Sequence, residues 1–465
     1  MTAPIHKTAF DHPRHARRAE WLGEARALLV LAAPMIVTQL AQMAILTTDI
    51  VLLGRLSKTA LASAAIGNAI YYFTWLTGFG PASAVSPMIA HIRGASPRNK
   101  AGIRASVRMG LWAVTLISVP LSSILLFARP ILLALHQDPE LARQAGIFVA
   151  MLAIGLPFAM GFQVLRNFAA ALERPNAAMW VMFASIVFNA LAGWGLIFGH
   201  FGLPALGIRG AGLATSLSAV FAFVGMGLVI ALTPALRQMR IARRFHKMAG
   251  SKLAEVMRLG MPIGMTMMFE AMLFNASTLV MGTFGASSVA AHQIALNMAS
   301  ITFMVPLGIG MASCVRVGVA TGARDPSAAR RSGLTAMVMA AGFIGIVGVL
   351  MAIFGRQVAG LYFGARAADN ADVIALAGSF LMVAAAFQVA DALQVVGAQS
   401  LRGLKDTRAP MLLAGASYWL AGAPMCLLLA IGLHMQGLGI WLGLAFGLAV
   451  AAVAMCGRFW RITRA

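Results

Sequence analysis

The sequence predicts an all-α integral membrane protein with twelve transmembrane helices, and three observations support this fold class. Hydrophobic residues make up 60% of the 465 residues. Charged residues make up only 11%, whereas a typical soluble domain carries about 25%. Apolar stretches long enough to cross a bilayer recur along the whole chain. So few charges cannot cover a water-facing surface, which excludes a secreted disulfide scaffold, a disordered tail and a soluble enzyme.

The individual spans follow from the thickness of a bilayer. A hydrocarbon core about 30 Å thick needs about 20 apolar residues of helix. Twelve stretches meet that length, roughly 27–53, 61–90, 109–128, 144–172, 177–198, 208–232, 259–284, 289–315, 333–354, 373–400, 410–432 and 437–457. No short apolar core with a small-residue cleavage site opens the chain, so we expect the first span to be retained.

Basic residues are distributed unevenly between the two sets of loops. Lys and Arg number 36, against 14 Asp and Glu. With both termini placed in the cytoplasm, 28 basic residues lie in inside segments, seven lie in outside loops and Arg166 lies within the fourth span. The positive-inside rule predicts this bias for an even number of spans. We therefore expect the excess charge to orient the chain and to touch anionic membrane lipids, and we expect no nucleic-acid partner.

The chain divides into two halves of six spans. The charged interruption at 236–258 is interpreted as a basic cytoplasmic linker between an N-terminal lobe at 27–235 and a C-terminal lobe at 259–457. Residues 1–26 and 458–465 are interpreted as a cytoplasmic N-terminal segment and a cytoplasmic tail. At an offset of 228, residues 31–95 align with 259–323 without a gap, and eleven positions coincide. Because six is an even number, the halves share one orientation, which predicts a parallel pseudo-two-fold repeat and a mechanism of alternating access.

Three acidic residues lie inside predicted spans: Asp49, Glu270 and Asp391. An ionised carboxylate in hydrocarbon costs about 2.5 kcal/mol or more, so such residues usually face the protein interior and mark an ion or substrate path. The helical rise places Glu270 about 16 Å and Asp391 about 14 Å from the cytoplasmic ends of their spans, in one layer. Such a pair can hold a proton, bind Na⁺ through oxygen ligands or attract an organic cation. The alternative is that a buried acid only hydrogen-bonds neighbouring helices, or that Asp49, near the outer end of its span, reaches the interface.

Other polar or small residues in the spans have structural interpretations as well. Asn189 could ligate a cation together with Asp49, or could join helices by a hydrogen bond. We expect Arg166 to neutralise helix-end carbonyl groups near the inner face. We expect His292 to be packed rather than metal-bound, because positions i+3 and i+4 offer no second ligand. Close helix packing of the last span is predicted by three glycines at four-residue spacing, Gly439, Gly443 and Gly447.

No catalytic motif is present in the sequence. H-E-x-x-H, G-x-S-x-G and Walker A patterns are absent, and no predicted cytoplasmic loop is long enough for a nucleotide-binding domain. We therefore expect no enzymatic activity, and we expect the energy for transport to come from an ion gradient or from a partner. An integral-membrane enzyme acting on lipids would cluster His, Asp or Glu at one interface, whereas the embedded acids here are spread over three helices.

Four stretches resemble one known family. They are TTDIVLLGRL (47–56), MPIGMTMMFE (261–270), VAAHQIALNMASITFMVPLGIGMASCVRVG (289–318) and DALQVVGAQSLRGLKDTRAP (391–410). The chain resembles the multidrug and toxic compound extrusion (MATE) transporters over nearly its whole length, and their sodium-type bacterial branch most closely. The resemblance implies a bacterial inner-membrane antiporter that exports organic cations in exchange for Na⁺ or H⁺, with no further cofactor. We expect it to be a monomer.

The resemblance also assigns residues. Glu270 and Asp391 match the paired acids of the C-terminal lobe, which implies coupling to protons or Na⁺ and binding of substrate. Asp49 matches the acidic residue of the first helix, and Asn189 matches the first of two amides on the fifth. Gly193 departs from the pattern, because relatives often carry a second Asn there.

The alternative function within the same superfamily is a flippase for lipid-linked precursors or polysaccharides. Such a protein would line its cavity with several cationic residues that bind phosphate. Only Arg166 lies within a predicted span, which disfavours the alternative.

Overall fold

The structure, a computed structural model, describes residues 13–243, 245–363 and 368–464, and it is helical without strands over these ranges. The first twelve residues of the predicted N-terminal segment, Arg244 of the linker, Arg366 of the outside loops and the last residue of the tail lie outside the described residues. Each of the twelve predicted spans coincides with a long helical segment. The predicted fold class is therefore confirmed.

The first lobe contains six long helices and one short one. In chain order these are α1 (Pro13–Leu56), α2 (Lys58–Ala95), α3 (Lys100–Leu125), the short α4 (Ala128–Ala134), α5 (Pro139–Ala171), α6 (Asn176–Phe198) and α7 (Ile208–Leu232). Side-chain oxygens of Ser57, Asn99 and Asp138 accept hydrogen bonds from the first turns of α2, α3 and α5. Such caps satisfy N–H groups that have no partner inside the helix, so they determine where each helix begins.

The second lobe repeats this arrangement. A short α8 (Pro234–Arg237) lies in the linker, followed by α9 (Gly250–Gly282), α10 (Ala286–Gly322), α11 (Pro326–Leu361), α12 (Ala371–Gly403), α13 (Arg408–Gly415), α14 (Ala423–Leu427) and α15 (Gln436–Arg464). α13 and α14 belong to one rod, Arg408–Gly432, with π-helical turns at Ala416–Gly422 and Leu428–Gly432. Since α9 begins at Gly250, residues 250–258 of the predicted linker are helical.

The protein is a multi-pass membrane protein. Among the described residues, eleven helical segments are long and apolar enough to cross a bilayer, and α2 is the remaining long helix. α2 packs against α9 and α10 of the second lobe as well as against its own lobe. Its less apolar composition therefore suits a position where it packs against both lobes.

The two lobes are related by the predicted pseudo-two-fold repeat. Gly80 lies so close to α9 that an added Cβ would be 2.6 Å from Gly264 N, and an added Cβ at Gly308 would be 3.0 Å from Ile36 N. The offset of 228 converts Gly80 to Gly308 and Ile36 to Gly264. The two contacts are therefore copies of each other, one on each side of the axis.

A second pair of copies lies at one end of the molecule. We call this the basic end and define it by the connections 96–99, 172–175 and 404–407. There a Cβ on Gly94 would lie 2.0 Å from Val319 O, and a Cβ on Gly322 would lie 2.2 Å from His91 O. The same offset relates these contacts. Only glycine permits so close a backbone approach, so the lobes touch directly at the basic end.

The glycine stripe of the last span packs as predicted. Its three glycines, Gly439, Gly443 and Gly447, face the Arg408–Gly432 rod, and a Cβ on any of them would lie within 2.8 Å of that rod's backbone. The contacts are to Ala430, Cys426 and Gly422, in antiparallel order. The prediction of close helix packing is confirmed.

Candidate functional site

The acids of the second lobe lie within one lobe interior. Asp391 of α12 is 6% exposed, and its Oδ1 atom has no hydrogen-bond partner among the described residues. Glu270 of α9 is partly buried and lies within electrostatic range of Asp391. A carboxylate oxygen without a partner in a buried place can accept a proton or coordinate a cation. The structure thus brings together the two residues that the sequence assigned to one layer.

Tyr418 joins this pair and was missed by the sequence reasoning. Its side chain is fully buried, its hydroxyl has no hydrogen-bond partner among the described residues, and it interacts electrostatically with both acids. The residue lies in the π-helical turn Ala416–Gly422. π-Helical turns are rare and occur frequently at functional sites. A tyrosine among so many apolar residues was the available signal, but its neighbours depend on packing between distant helices.

Further polar atoms of the second lobe are also unpaired. Gln394, three residues after Asp391 on α12, is buried, and its Oε1 has no partner among the described residues. His292 is fully buried, with Nε2 3.1 Å from Thr278 Oγ1 and its ring 5.6 Å from the Trp441 ring. The expectation that His292 is packed is confirmed. Within the described ranges, His, Cys, Asp and Glu residues form no group of three or more that could hold a metal ion.

The acid of the first lobe forms a separate site. Asp49 of α1 is 6% exposed; it accepts a hydrogen bond from Asn189 Nδ2 at 3.2 Å and one from Thr215 Oγ1 at 2.8 Å. The structure therefore places Asn189 beside Asp49, as the sequence suggested, and adds Thr215 of α7. Asn189 Oδ1 remains without a partner in the described part of the chain. Together these residues offer several oxygens to a cation.

Gly193 explains how the first-lobe site differs from the family pattern. A Cβ at this position would lie 2.7 Å from Leu52 Cδ1. Leu52 Cδ1 is the mobile end of a side chain on α1, so a second amide beside Asn189 would require Leu52 to change its position. The first lobe is built with one amide and a threonine hydroxyl around its acid.

Arg166 does not have the expected partners. Its Nη1 atom donates hydrogen bonds to the side-chain oxygens of Gln39 and Gln42 on α1, and its Nε has no partner among the described residues. The prediction that it neutralises helix-end carbonyl groups is therefore wrong. An amide side chain can turn to meet a guanidinium buried this deeply, whereas the helix-end carbonyls are several residues away.

A second buried arginine was assigned to a loop by the sequence. α12 continues to Gly403, so Arg402 lies in its last turn, is 5% exposed and interacts electrostatically with Glu270. Arg402 and Arg166 line one small cavity of about 30 Å³ between the lobes. The expectation of a single embedded arginine is therefore wrong. Arg402 lies just beyond the predicted span 373–400, and it is buried because the ends of the two lobes meet there.

Aromatic side chains form a ladder along α2, with Trp75 packed against the core of the first lobe. The rings of Tyr72 and Trp75 are stacked with centroids 6.4 Å apart, and Trp75 lies 4.8 Å from Phe79. Tyr72 interacts electrostatically with Glu270, and Phe79 lines the cavity that holds Arg402. Tyr72, Trp75 and Phe79 are spaced by three and four residues, which places their side chains on one helix face. This spacing was the signal of the ladder that the sequence offered.

Ionic contacts join the lobes at the basic end. Arg316 of α10 donates from Nε and Nη2 to the carboxylate of Glu24 on α1, and Ser332 Oγ donates to Glu24 Oε1 at 2.6 Å. Arg331 Nη1 donates to Glu20 Oε2 at 2.5 Å. These partners lie in different lobes.

The imidazole of His91 adds another contact across the same interface. Its Nε2 lies 2.8 Å from the carbonyl oxygen of Gly403 on α12. Because a carbonyl can only accept, His91 donates this hydrogen bond. The lobes are thus held together at the basic end by ion pairs, by the hydrogen bond from His91 and by close backbone packing.

Known proteins resemble this chain over its full length. The MatE family profile matches residues 34–194 and 262–428. The chain is 43% identical over 458 residues to "Probable multidrug resistance protein NorM" of Mesorhizobium japonicum, covering 98% of each protein, and 40% identical over 452 residues to the protein of that name in Brucella suis, covering 97% of this chain and 96% of the relative. The crystal structure of the eukaryotic MATE transporter AtDTX14 superposes with a TM-score of 0.83 at 25% identity, covering 96% of this chain and 99% of the other.

Proposed function

This chain belongs to the MatE family of transporters, and on that premise we propose that it is a secondary active antiporter that exports organic cations in exchange for Na⁺ or H⁺. The relatives described above are named as probable multidrug resistance proteins, which supports the wider statement that this chain is a multidrug efflux transporter. The exchange mechanism rests on the geometry of the second lobe.

The observation that carries the proposal is the unpaired Asp391 Oδ1 beside Glu270 and Tyr418. A buried carboxylate without a hydrogen-bond partner is costly until it gains a proton or a cation. The carboxylates and the tyrosine hydroxyl supply only oxygen atoms, which suit a small hard cation. Na⁺, H⁺ and a positively charged drug can all satisfy the same oxygens, so one must leave before another binds.

The substrate would contact both lobes. Tyr72 offers an aromatic face within electrostatic range of Glu270, its ring stacks on that of Trp75, and Trp75 in turn contacts Phe79. A cation over such a face gains about 0.5–2 kcal/mol, and the carboxylate adds charge attraction. Flat, positively charged compounds fit both features. Binding of Na⁺ or H⁺ at Glu270 and Asp391 would remove the charge attraction and release the compound.

The conformation follows from the contacts at the basic end. With Glu24 bonded to Arg316 and His91 bonded to the carbonyl of Gly403, the lobes are closed there. We assign this arrangement to the outward-facing state and place the basic end in the cytoplasm by the positive-inside rule. Transport would then require these contacts to break while the opposite ends of the lobes approach. Inward movement of one positive charge supplies about 2.3 kcal/mol per 100 mV.

We propose that the protein acts as a monomer in the bacterial inner membrane.

The flippase alternative receives support from one observation. Arg166 and Arg402 line the same cavity between the lobes, and two guanidinium groups could hold a phosphate. That cavity, at about 30 Å³, is too small for a lipid-linked headgroup in this conformation. Efflux of cations therefore remains the better-supported function.

Ethidium uptake into inside-out vesicles tests the proposal. Ion gradients are imposed one at a time on wild type, on Asp391→Asn and on the control Asp372→Asn, which changes an exposed acid at the start of the same helix. We expect wild type and the control to accumulate ethidium under a Na⁺ or an H⁺ gradient, and Asp391→Asn to lose this accumulation. If folded wild-type protein moves no ethidium under either gradient, the antiporter proposal is wrong and the flippase gains weight.

A further inference from the structure

A large cavity opens on the outer side of the first lobe at the basic end. Its volume is about 790 Å³, and it lies between α1, the start of α6 and the end of α7. None of the acids assigned to transport lines it. The cavity is therefore distinct from the transport site, and its chemistry needs its own explanation.

Positive charge dominates the polar part of this cavity. Arg26, Arg174 and Arg316 line it, against the single carboxylate of Glu173. Glu173 is already bonded to Arg93 at 3.0 Å and is 4.0 Å from Arg316 Nη1. Arg26 and Arg174 are exposed, and neither forms an ion pair with another described residue. Two guanidinium groups thus have donors available for an anionic ligand.

The backbone adds further donors next to these side chains. α6 begins at Asn176, and no side chain caps its first turn. The uncapped N–H groups of a long helix favour negative charge beside them. Pro175, Asn176 and Ala177 all line the cavity. The helix start strengthens a site that the arginine side chains already define.

The remaining wall is apolar and faces the bilayer. Trp180 and Val30 are 66% and 67% exposed, and Val229 lies on the same cavity wall. Tryptophan is enriched where a membrane protein meets the lipid headgroups. A ligand that fills this cavity must have an anionic head and an apolar tail, and a free phosphate ion would occupy only a small part of 790 Å³.

We propose that this cavity binds an anionic phospholipid of the cytoplasmic leaflet, with its phosphate between Arg26 and Arg174 and its acyl chains along Trp180 and Val30. The site uses the membrane orientation of the proposed function, but it does not depend on antiport. Arg316 belongs to the second lobe, whereas the other cavity residues lie between Gly23 and Leu236. A lipid bound here therefore bridges the lobes and stabilises their contact at the basic end.

Native mass spectrometry and thermal unfolding test the site directly. Protein in nanodiscs or detergent is titrated with phosphatidylglycerol, with phosphatidylcholine of the same chains, and with inorganic phosphate. The variant is Arg26→Gln/Arg174→Gln, and the matched control is Arg461→Gln/Arg464→Gln, which removes two exposed charges at the same end but outside the cavity.

We expect wild type and the control to retain phosphatidylglycerol, and the cavity variant to bind it about 30-fold more weakly, since each basic residue at a membrane surface contributes about 1 kcal/mol. Equal unfolding temperatures in phosphatidylcholine would show that the cavity variant is folded. Unchanged phosphatidylglycerol binding by that variant would overturn the proposal. Equal binding of phosphatidylcholine would also overturn it, and protection by inorganic phosphate alone would show an ion site in place of a lipid site.

Discussion

Arg316 donates hydrogen bonds of 2.9 and 2.5 Å to the two carboxylate oxygens of Glu24, and so ties α10 of the second lobe to α1 of the first. Glu24 is 8% exposed and also accepts from Ser332. A carboxylate that has left water needs partners of this strength. The Arg316–Glu24 bond therefore exists only while the lobes are closed at the basic end. A variant that removes the bond can thus be used to measure how much it contributes to closure.

Glu24→Gln should loosen this closure. A hydrogen bond to a charged group contributes about 1.5–3 kcal/mol, which is about 10- to 100-fold in the closed-to-open ratio. Cys314, which is buried and lines the cavity between the lobes, reports on it. With Cys426 and Cys456 replaced by Ala, we expect Cys314 to react faster with a maleimide in Glu24→Gln. Glu140→Gln, an exposed ion pair elsewhere, is the control, and an equal rate in both variants would contradict the assignment.

Tyr418→Phe should weaken ion coupling without weakening the fold. The hydroxyl has no hydrogen-bond partner among the described residues, so its removal leaves nothing unpaired and the unfolding temperature should stay constant or rise. Loss of one oxygen ligand should raise the Na⁺ or H⁺ concentration for half-maximal efflux by about 5- to 10-fold. Ion titrations of ethidium efflux measure this. An unchanged midpoint would show that the hydroxyl takes no part in ion binding.

Trp75→Leu should reduce affinity for cationic substrates. The loss of one aromatic face costs about 0.5–2 kcal/mol, or about 2- to 30-fold in KM. Phe354→Leu, which changes an exposed aromatic on α11, serves as the comparison. KM values for ethidium and for an uncharged dye separate the effects. If both dyes are affected equally in Trp75→Leu, the ladder contributes packing and no recognition of charge.

Gly193→Asn should destabilise the first lobe. A Cβ there would be 2.7 Å from Leu52 Cδ1, and overpacking of a filled interior typically costs about 1–3 kcal/mol. The double variant Gly193→Asn/Leu52→Ala should recover part of the lost stability, because the Leu52 side chain that the new amide would push aside is then absent. Thermal unfolding of the two variants, with Leu52→Ala alone as reference, measures the coupling. Additive effects would show that Leu52 is not the obstacle.

The fold and the embedded acids could be predicted because their signals are local. A run of about 20 apolar residues defines a span, and a carboxylate inside such a run is conspicuous, so Asp49, Glu270 and Asp391 were found directly. The coincidence of positions at an offset of 228 predicted the repeat, and the contacts of Gly80 and Gly308 confirm it.

The partners of those acids could not be predicted in the same way. Thr215 on α7 reaches Asp49 across a separation of 166 residues, and Tyr418 lies on the rod that follows α12. Which side chains meet an acid depends on how the helices pack. Arg402 lies just past an apolar run, so its burial appears only when the ends of two lobes are brought together. The π-helical turn around Tyr418 includes Gly422, which packs against Gly447 of α15, a contact between helices that neither segment alone predicts.

The reciprocal contacts of Gly94 with Val319 and of Gly322 with His91 have the form of an isologous dimer interface, in which residue i meets j and j meets i. The two halves of one chain therefore meet as two subunits of such a dimer would. In a dimer of identical subunits every substitution appears twice, whereas here a substitution in one half is not repeated in the other. One shared interface can therefore join halves with different polar sites, Asp49 with Asn189 in one and Glu270 with Asp391 in the other.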